Sequence, residues 1–188
     1  MSFRKYRALD LSIWLVIYLV FEFIIVRAAT KWFPDQAYSV SLMLPMLLLI
    51  MMRWGPYVSI HAVLFGAAFV LFNGWPGTWQ QYVIYLIGNG GFMITLWFLL
   101  GFGKDRVKGK WYYTVLYAAI GFVSMEVFRG IAAIIVSNKP FEVITSFIFT
   151  DMLSFAFAVI VLLIARQVPG LFQDQAQYVR NVQKEAEE

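Results

Sequence analysis

Five polar side chains lie well inside long apolar stretches, away from their ends: Glu22, Asn89, Glu126, Arg129 and Asp151. A charge near the centre of a bilayer costs about 2.5–3.5 kcal/mol on insertion scales, so it faces a partner or a cavity. Glu126 and Arg129 lie three positions apart, the spacing that puts two side chains on one face of a helix and lets them pair. One chemistry open to the set is a self-neutralising lock, with Arg129 tying its own helix to that of Asp151. Another is a hydrated pocket in which the carboxylates, in excess over Arg129, receive a small molecule with a cationic or donor-rich group. A proton pathway is the third. An enzyme is not expected. There is no Gly-x-x-x-x-Gly-Lys-Ser/Thr loop, Gly-x-Ser-x-Gly elbow or His-Glu-x-x-His helix. His61 falls in the inner half of its stretch, away from Asp151, and reads as a satisfied packing histidine. Without cysteine and with one histidine, neither a thiolate nor a histidine-rich metal site is available, and no cofactor is expected.

The elements that must position these residues are helices in a membrane. The chain is 61% hydrophobic and 14% charged, whereas soluble domains carry about 25% charged residues. Its 188 residues hold one bundle and no separate soluble domain. Apolar stretches at 9–29, 38–52, 56–72, 80–101, 111–136 and 142–165 predict six transmembrane helices. The second and third are split only by Arg53-Trp54-Gly55-Pro56, which reads as a tight turn. Arg4, Lys5, Arg7, Arg53, Lys104, Arg106, Lys108, Lys110, Arg166, Arg180 and Lys184 then share one side, against Arg27, Lys31 and Lys139 on the other. That bias makes the first side cytoplasmic. The expected fold is an all-α membrane protein of the cell membrane, a bundle over 1–165 with both termini cytoplasmic. A cytoplasmic tail over 166–188 starts Val168-Pro169-Gly170-Leu171-Phe172 and forms a short helix. The net charge of +4 reflects the same bias and predicts no nucleic acid partner. Arg4, Lys5 and Arg7 imitate a signal peptide, but Asp10 and Glu22 interrupt the apolar stretch behind them, so a retained first helix is expected.

Helical rise converts position into depth. Arg129 lies roughly 12 Å below the outer end of its helix, Glu126 roughly 16 Å, Asp151 and Asn89 about 14 Å, and Glu22 about 10 Å. The five therefore share one layer in the outer half. Tyr82 and Tyr85 can line the same face as Asn89, three and four positions being neighbours on a helix. Asn89 sits in Gly88-Asn89-Gly90-Gly91, where glycine admits either a ligand or a neighbouring helix. Above the layer, one outer loop carries Trp32, and another, Asn73-Gly74-Trp75-Pro76-Gly77-Thr78-Trp79, holds no charge. These aromatics form either an interfacial belt or the cap of an outward pocket.

The segment Arg53-Trp54-Gly55-Pro56-Tyr57, leading through Ala62 and Gly66 to Asn73-Gly74, resembles the substrate-binding S component of energy-coupling factor (ECF) vitamin transporters. So does the ending Val168-Pro169-Gly170-Leu171-Phe172. The resemblance implies uptake of a vitamin-like micronutrient, such as a flat heterocycle with a cationic or donor-rich group, in partnership with a transmembrane T subunit and two ATPase subunits. Carried over by position, the pocket would draw on Trp32, Trp75, Trp79, Tyr85, Asn89, Glu126, Arg129 and Asp151. The family's Ala-x-x-x-Ala docking pair is missing from 9–29; Ala62-x-x-x-Gly66 could take its place. Two alternatives stand beside it: a structural multi-span protein of a cell-envelope complex, similar to the MreD family and without a ligand, and a carrier working alone.

Overall fold

The computed structural model describes residues 3–32, 40–74, 76–168 and 170–185, which form helices joined by short turns, with no strand among them. Helix α1 spans Phe3–Trp32, longer at both ends than its apolar stretch. Helix α2, Met43–Trp54, has all 12 residues buried. Gly55 follows at φ +61°, a left-handed conformation that costs a glycine nothing. Pro56 then sits in the first turn of a single 3-10 turn, where its missing N–H is no loss, and α3 runs over Val58–Gly74. Thr78 and Gln81 form a capping box that starts α4, Trp79–Gly88. The chain continues through a 3-10 segment, Asn89–Met93, into α5, Ile94–Phe102. A short α6, Lys104–Gly109, precedes α7, Trp111–Ser137. Helices α8, Val143–Thr150, and α9, Met152–Ala165, meet at a bend of 46°. Helix α10, Gln175–Glu185, closes the described chain, where a helical tail is expected.

Contacts between distant residues set the directions. Asp10 meets Arg53 and Glu22 meets Ser41, so α2 runs antiparallel to α1. Arg7 lies over the Tyr57 ring and Phe23 packs on Phe72, so α3 runs parallel to α1. Phe69 packs on Tyr85 and Ala62 meets Asn89, which sends α4 and α5 back. Arg129 meets Asn89 while Gly121 faces Thr95, which makes α7 antiparallel to them. Phe122 packs on Phe155 and Arg166 reaches Lys108, so α8 and α9 return once more. The described residues therefore make six alternating runs, and Tyr6, Arg53, Lys104 and Gln175 gather at one end, here called the basic end.

Length and composition alone qualify four helical stretches to cross a membrane: Phe3–Trp32, Met43–Gly74, Trp79–Phe102 and Trp111–Ser137. The bent pair α8 and α9 would make a fifth. The difference from the sequence count lies in α2. Although Met43–Gly74 is continuous as a helical stretch, it doubles back at Gly55, and α2 by itself is about 18 Å long, short of the roughly 30 Å of a hydrocarbon core. It is the buried centre of the bundle, with Leu44, Leu47, Leu48, Ile50 and Met51 among its least accessible residues. The sixth stretch, read as one straight helix, is broken at Asp151. The tail is not detached either. Arg53 Nη1 donates to the Gly170 and Leu171 carbonyls at 2.6 and 3.2 Å, and Phe172 is buried.

Candidate functional site

Helix α7 places Glu126 and Arg129 one turn apart, and the small residue opposite them lets the helices close. A Cβ on Gly88 of α4 would sit 2.7 Å from Arg129 Cα. The glycine run therefore serves the α4–α7 contact, the packing use of small residues in membranes. The approach brings the guanidinium among partners from four helices. Arg129 Nε donates to Asn89 Oδ1 at 2.9 Å. Its Nη1 donates to Glu126 Oε1 at 2.6 Å and to Asp151 Oδ2 at 2.9 Å. Its Nη2 reaches Met43 Sδ at 3.2 Å, and the Tyr85 ring centroid lies 4.9 Å from Cζ. Asp151 occupies the bend before α9, where a carboxylate also faces the favourable end of a helix dipole. Glu126 Oε2 is buried without a hydrogen-bond partner.

Glu22 belongs to a neighbouring node. Ser41 Oγ donates to Glu22 Oε1 at 2.6 Å and the Leu42 amide to Oε2 at 2.8 Å, so Glu22 satisfies the start of α2. The Ser41 amide donates in turn to Ser154 Oγ, one turn beyond Asp151. The expected layer thus resolves into two adjoining nodes.

Beside Asp151 lies a cavity of about 320 Å³, lined by Phe69, Asn73, Tyr85, Val143, Ser146, Phe147, Thr150 and Asp151. Its size falls in the range of about 300–1,000 Å³ of small-molecule pockets. Of the residues expected to form a pocket, Tyr85 and Asp151 line it. Arg129 and Glu126 back it through Asp151, and Asn89 turns between Arg129, Met43 and the Ala62 carbonyl. Trp32 and Trp79 are exposed and are not among the lining residues. Trp75 lies outside the described residues.

Sequence reading missed Phe69, Asn73, Ser146, Phe147 and Thr150. A signal was present: 143, 146, 147, 150 and 151 follow the i, i+3, i+4, i+7, i+8 pattern of one helix face. The polar stripe of Ser146, Thr150 and Asp151 on an otherwise apolar helix is what sets that face apart.

Two further expectations change. Ala62-x-x-x-Gly66 is an internal face: Ala62 is buried, and a Cβ on Gly66 would lie 2.6 Å from the Tyr85 carbonyl. The close approach that a docking partner would use is taken by α4. His61 is only half satisfied, with Nε2 2.9 Å from the Leu11 carbonyl and Nδ1 buried without a partner.

The basic end holds a second buried guanidinium that sequence reading left unpaired. Arg53 grips Asp10 through Nε at 3.1 Å and Nη2 at 2.7 Å, and Trp54 Nε1 donates to the same carboxylate at 2.6 Å. A cavity of about 210 Å³ near it is lined mainly by the 104–108 segment and the tail, including Lys104, Asp174 and Asn181. Lys104 and Asp174 pair at 2.7 Å. No cluster of side chains suited to a metal ion occurs among the described residues.

No family model, no curated protein and no solved structure matches this chain. The site's own geometry is what any functional reading rests on.

Proposed function

We propose that this chain is a protein of the cell membrane whose six alternating runs leave both termini cytoplasmic, and that it captures a small vitamin-like molecule in the cavity beside Asp151. In this reading it is an S component of an ECF-type transporter, and a T subunit and two ATPase subunits supply the energy. One observation carries it: a cavity of ligand size borders a buried charge cluster whose carboxylates outnumber its guanidinium. The lining supports a choice of ligand class, since it combines aromatic rings with carboxylate, amide and hydroxyl groups. A flat heterocycle bearing a cationic or donor-rich group fits that combination.

The test is mass spectrometry of small molecules that copurify with the protein, repeated on Ser146→Trp, which fills the cavity from its wall. A compound present in the parent and missing from the variant supports the reading; identical extracts end it. Because the chain has no cysteine, a single introduced one reports topology cleanly. Lys108→Cys should be labelled only from the cytoplasmic side and Lys139→Cys only from outside.

One observation favours a second reading, a structural envelope protein similar to the MreD family. Arg129 finds acceptors inside the bundle through Nε, Nη1 and Nη2 alike, as a pure lock would. It predicts no copurifying ligand and a protein partner captured by crosslinking.

A further inference from the structure

We infer that the groove between α5 and α7 binds an acidic phospholipid, with its headgroup at Arg106 and Lys110. The inference needs the bundle in a bilayer, as proposed above, and nothing of the cavity beside Asp151. The groove has a volume of about 410 Å³, walled by Ile94 of α5 and by Ala119, Ile120, Val123, Val127 and Phe128 of α7. Its polar lining residue, Ser124, turns its hydroxyl back onto the Ile120 and Gly121 carbonyls at 2.6 and 3.2 Å. The wall is therefore apolar, and an acyl chain fills it because a void forfeits dispersion contacts.

One face of α7 connects the groove to the basic end. Tyr112, Leu116, Ala119, Val123 and Val127 follow steps of three and four residues, so they form a single strip. Tyr112 and Leu116 are exposed along it. Ala119 lies about 10 Å along the helix from Tyr112, and Val127 about 22 Å. One leaflet takes up about half of a hydrocarbon core of roughly 30 Å. A chain anchored at Tyr112 thus reaches the groove with its distal part.

Charge selects the headgroup. Helix α6 joins α5 to α7 at the mouth of the strip. Lys104, Asp105 and Lys108 line the cavity toward the tail, where Lys104 is already paired with Asp174. Arg106 and Lys110 are exposed outside that cavity, and among the described residues no carboxylate pairs with either. Lys110 Nζ stands 5.8 Å from the Tyr112 ring centroid, which puts its charge at the head of the strip. The first turn of α7 holds no acidic residue and no side chain caps it, so its N–H groups and dipole favour an anion. Trp111 and Tyr112, both exposed, are of the type that settles at headgroup level. Two cations and an uncapped helix start above an apolar groove match a phosphate joined to acyl chains. A zwitterionic lipid would bring its own cation to the same place.

Native mass spectrometry of the full-length protein tests the site, with phosphatidylglycerol or phosphatidylcholine of the same chains titrated in detergent. One phosphatidylglycerol should bind per chain, about 25-fold more tightly than phosphatidylcholine, from about fivefold for each cation. Arg106→Gln combined with Lys110→Gln should erase that preference, whereas Lys108→Gln, on the tail side, should keep it. Val123→Trp, which fills the groove from an exposed position, should weaken both lipids. Equal affinity for the two lipids overturns the inference, as does a preference that survives loss of both cations or disappears with Lys108→Gln. Binding untouched by Val123→Trp overturns it too, since the headgroup alone would then be held. A lipid-free dimer that Val123→Trp splits would give the groove to a second copy and likewise overturn it.

Discussion

The molecule buries two guanidinium groups at opposite ends, and their surroundings differ. Arg53 faces one carboxylate, Asp10, gripped at two points, and spends its remaining donor on the Gly170 and Leu171 carbonyls. Charge is balanced one to one, and the node binds α1, α2 and the tail together. Arg129 faces two carboxylates, one of them with an idle oxygen, and a cavity opens beside the other. Buried ion pairs add little to stability compared with apolar packing, since desolvation offsets the attraction. A balanced, closed pair is therefore explained by holding segments in register. The Arg129 node joins three helices and, unlike the Arg53 node, borders a cavity through Asp151.

The contrast can be broken at either end. Arg129→Ala should have the largest effect, because two carboxylates lose the cation they share; a loss of about 3–5 kcal/mol is expected, measured as thermal unfolding in detergent. Arg129→Lys should recover only part of it, since an ammonium cannot span Asn89, Glu126 and Asp151 as the planar fork does. At the other end, Asp10→Asn should cost about 3 kcal/mol by leaving Arg53 buried without its counter-charge. The tail should loosen with it, read as faster tryptic cleavage at Arg166 and Arg180.

The matched change at the upper node sharpens the point. Glu126→Gln leaves Arg129 paired with Asp151 and keeps an acceptor for Nη1, so unfolding should shift by less than about 1 kcal/mol. Equal losses in Asp10→Asn and Glu126→Gln would mean that both nodes are plain locks. Smallest of all, Ser146→Trp should change stability by no more than about 0.5 kcal/mol, as a substitution into open space. Unfolding of that variant would show the cavity to be part of the packed core.

The upper node is partly legible in the sequence alone. Glu126 and Arg129 share a helix face by spacing, and depth arithmetic brings Asn89 and Asp151 level with them. Depth cannot say which way a helix is turned. Glu22, at a similar level, serves Ser41 and α2 instead of Arg129. Residue type singles out the loop tryptophans, yet Trp32 and Trp79 stay exposed while Phe69 and Phe147, ordinary apolar residues by sequence, line the cavity. Asp10 and Arg53 read in sequence only as flanking charges, because their pairing joins segments 43 positions apart.

From the sequence came what depends on local composition and fixed rise: helices throughout the described chain, the glycine-proline reversal, and a common depth for five charged and amide groups. Tertiary structure decided what depends on how helices rotate and lean against one another. It made α2 a buried core helix, broke the last run at Asp151, and separated a closed charge pair from one that borders a cavity. Rotation and tilt are set by side-chain packing across distant segments, and no window of neighbouring residues contains that information.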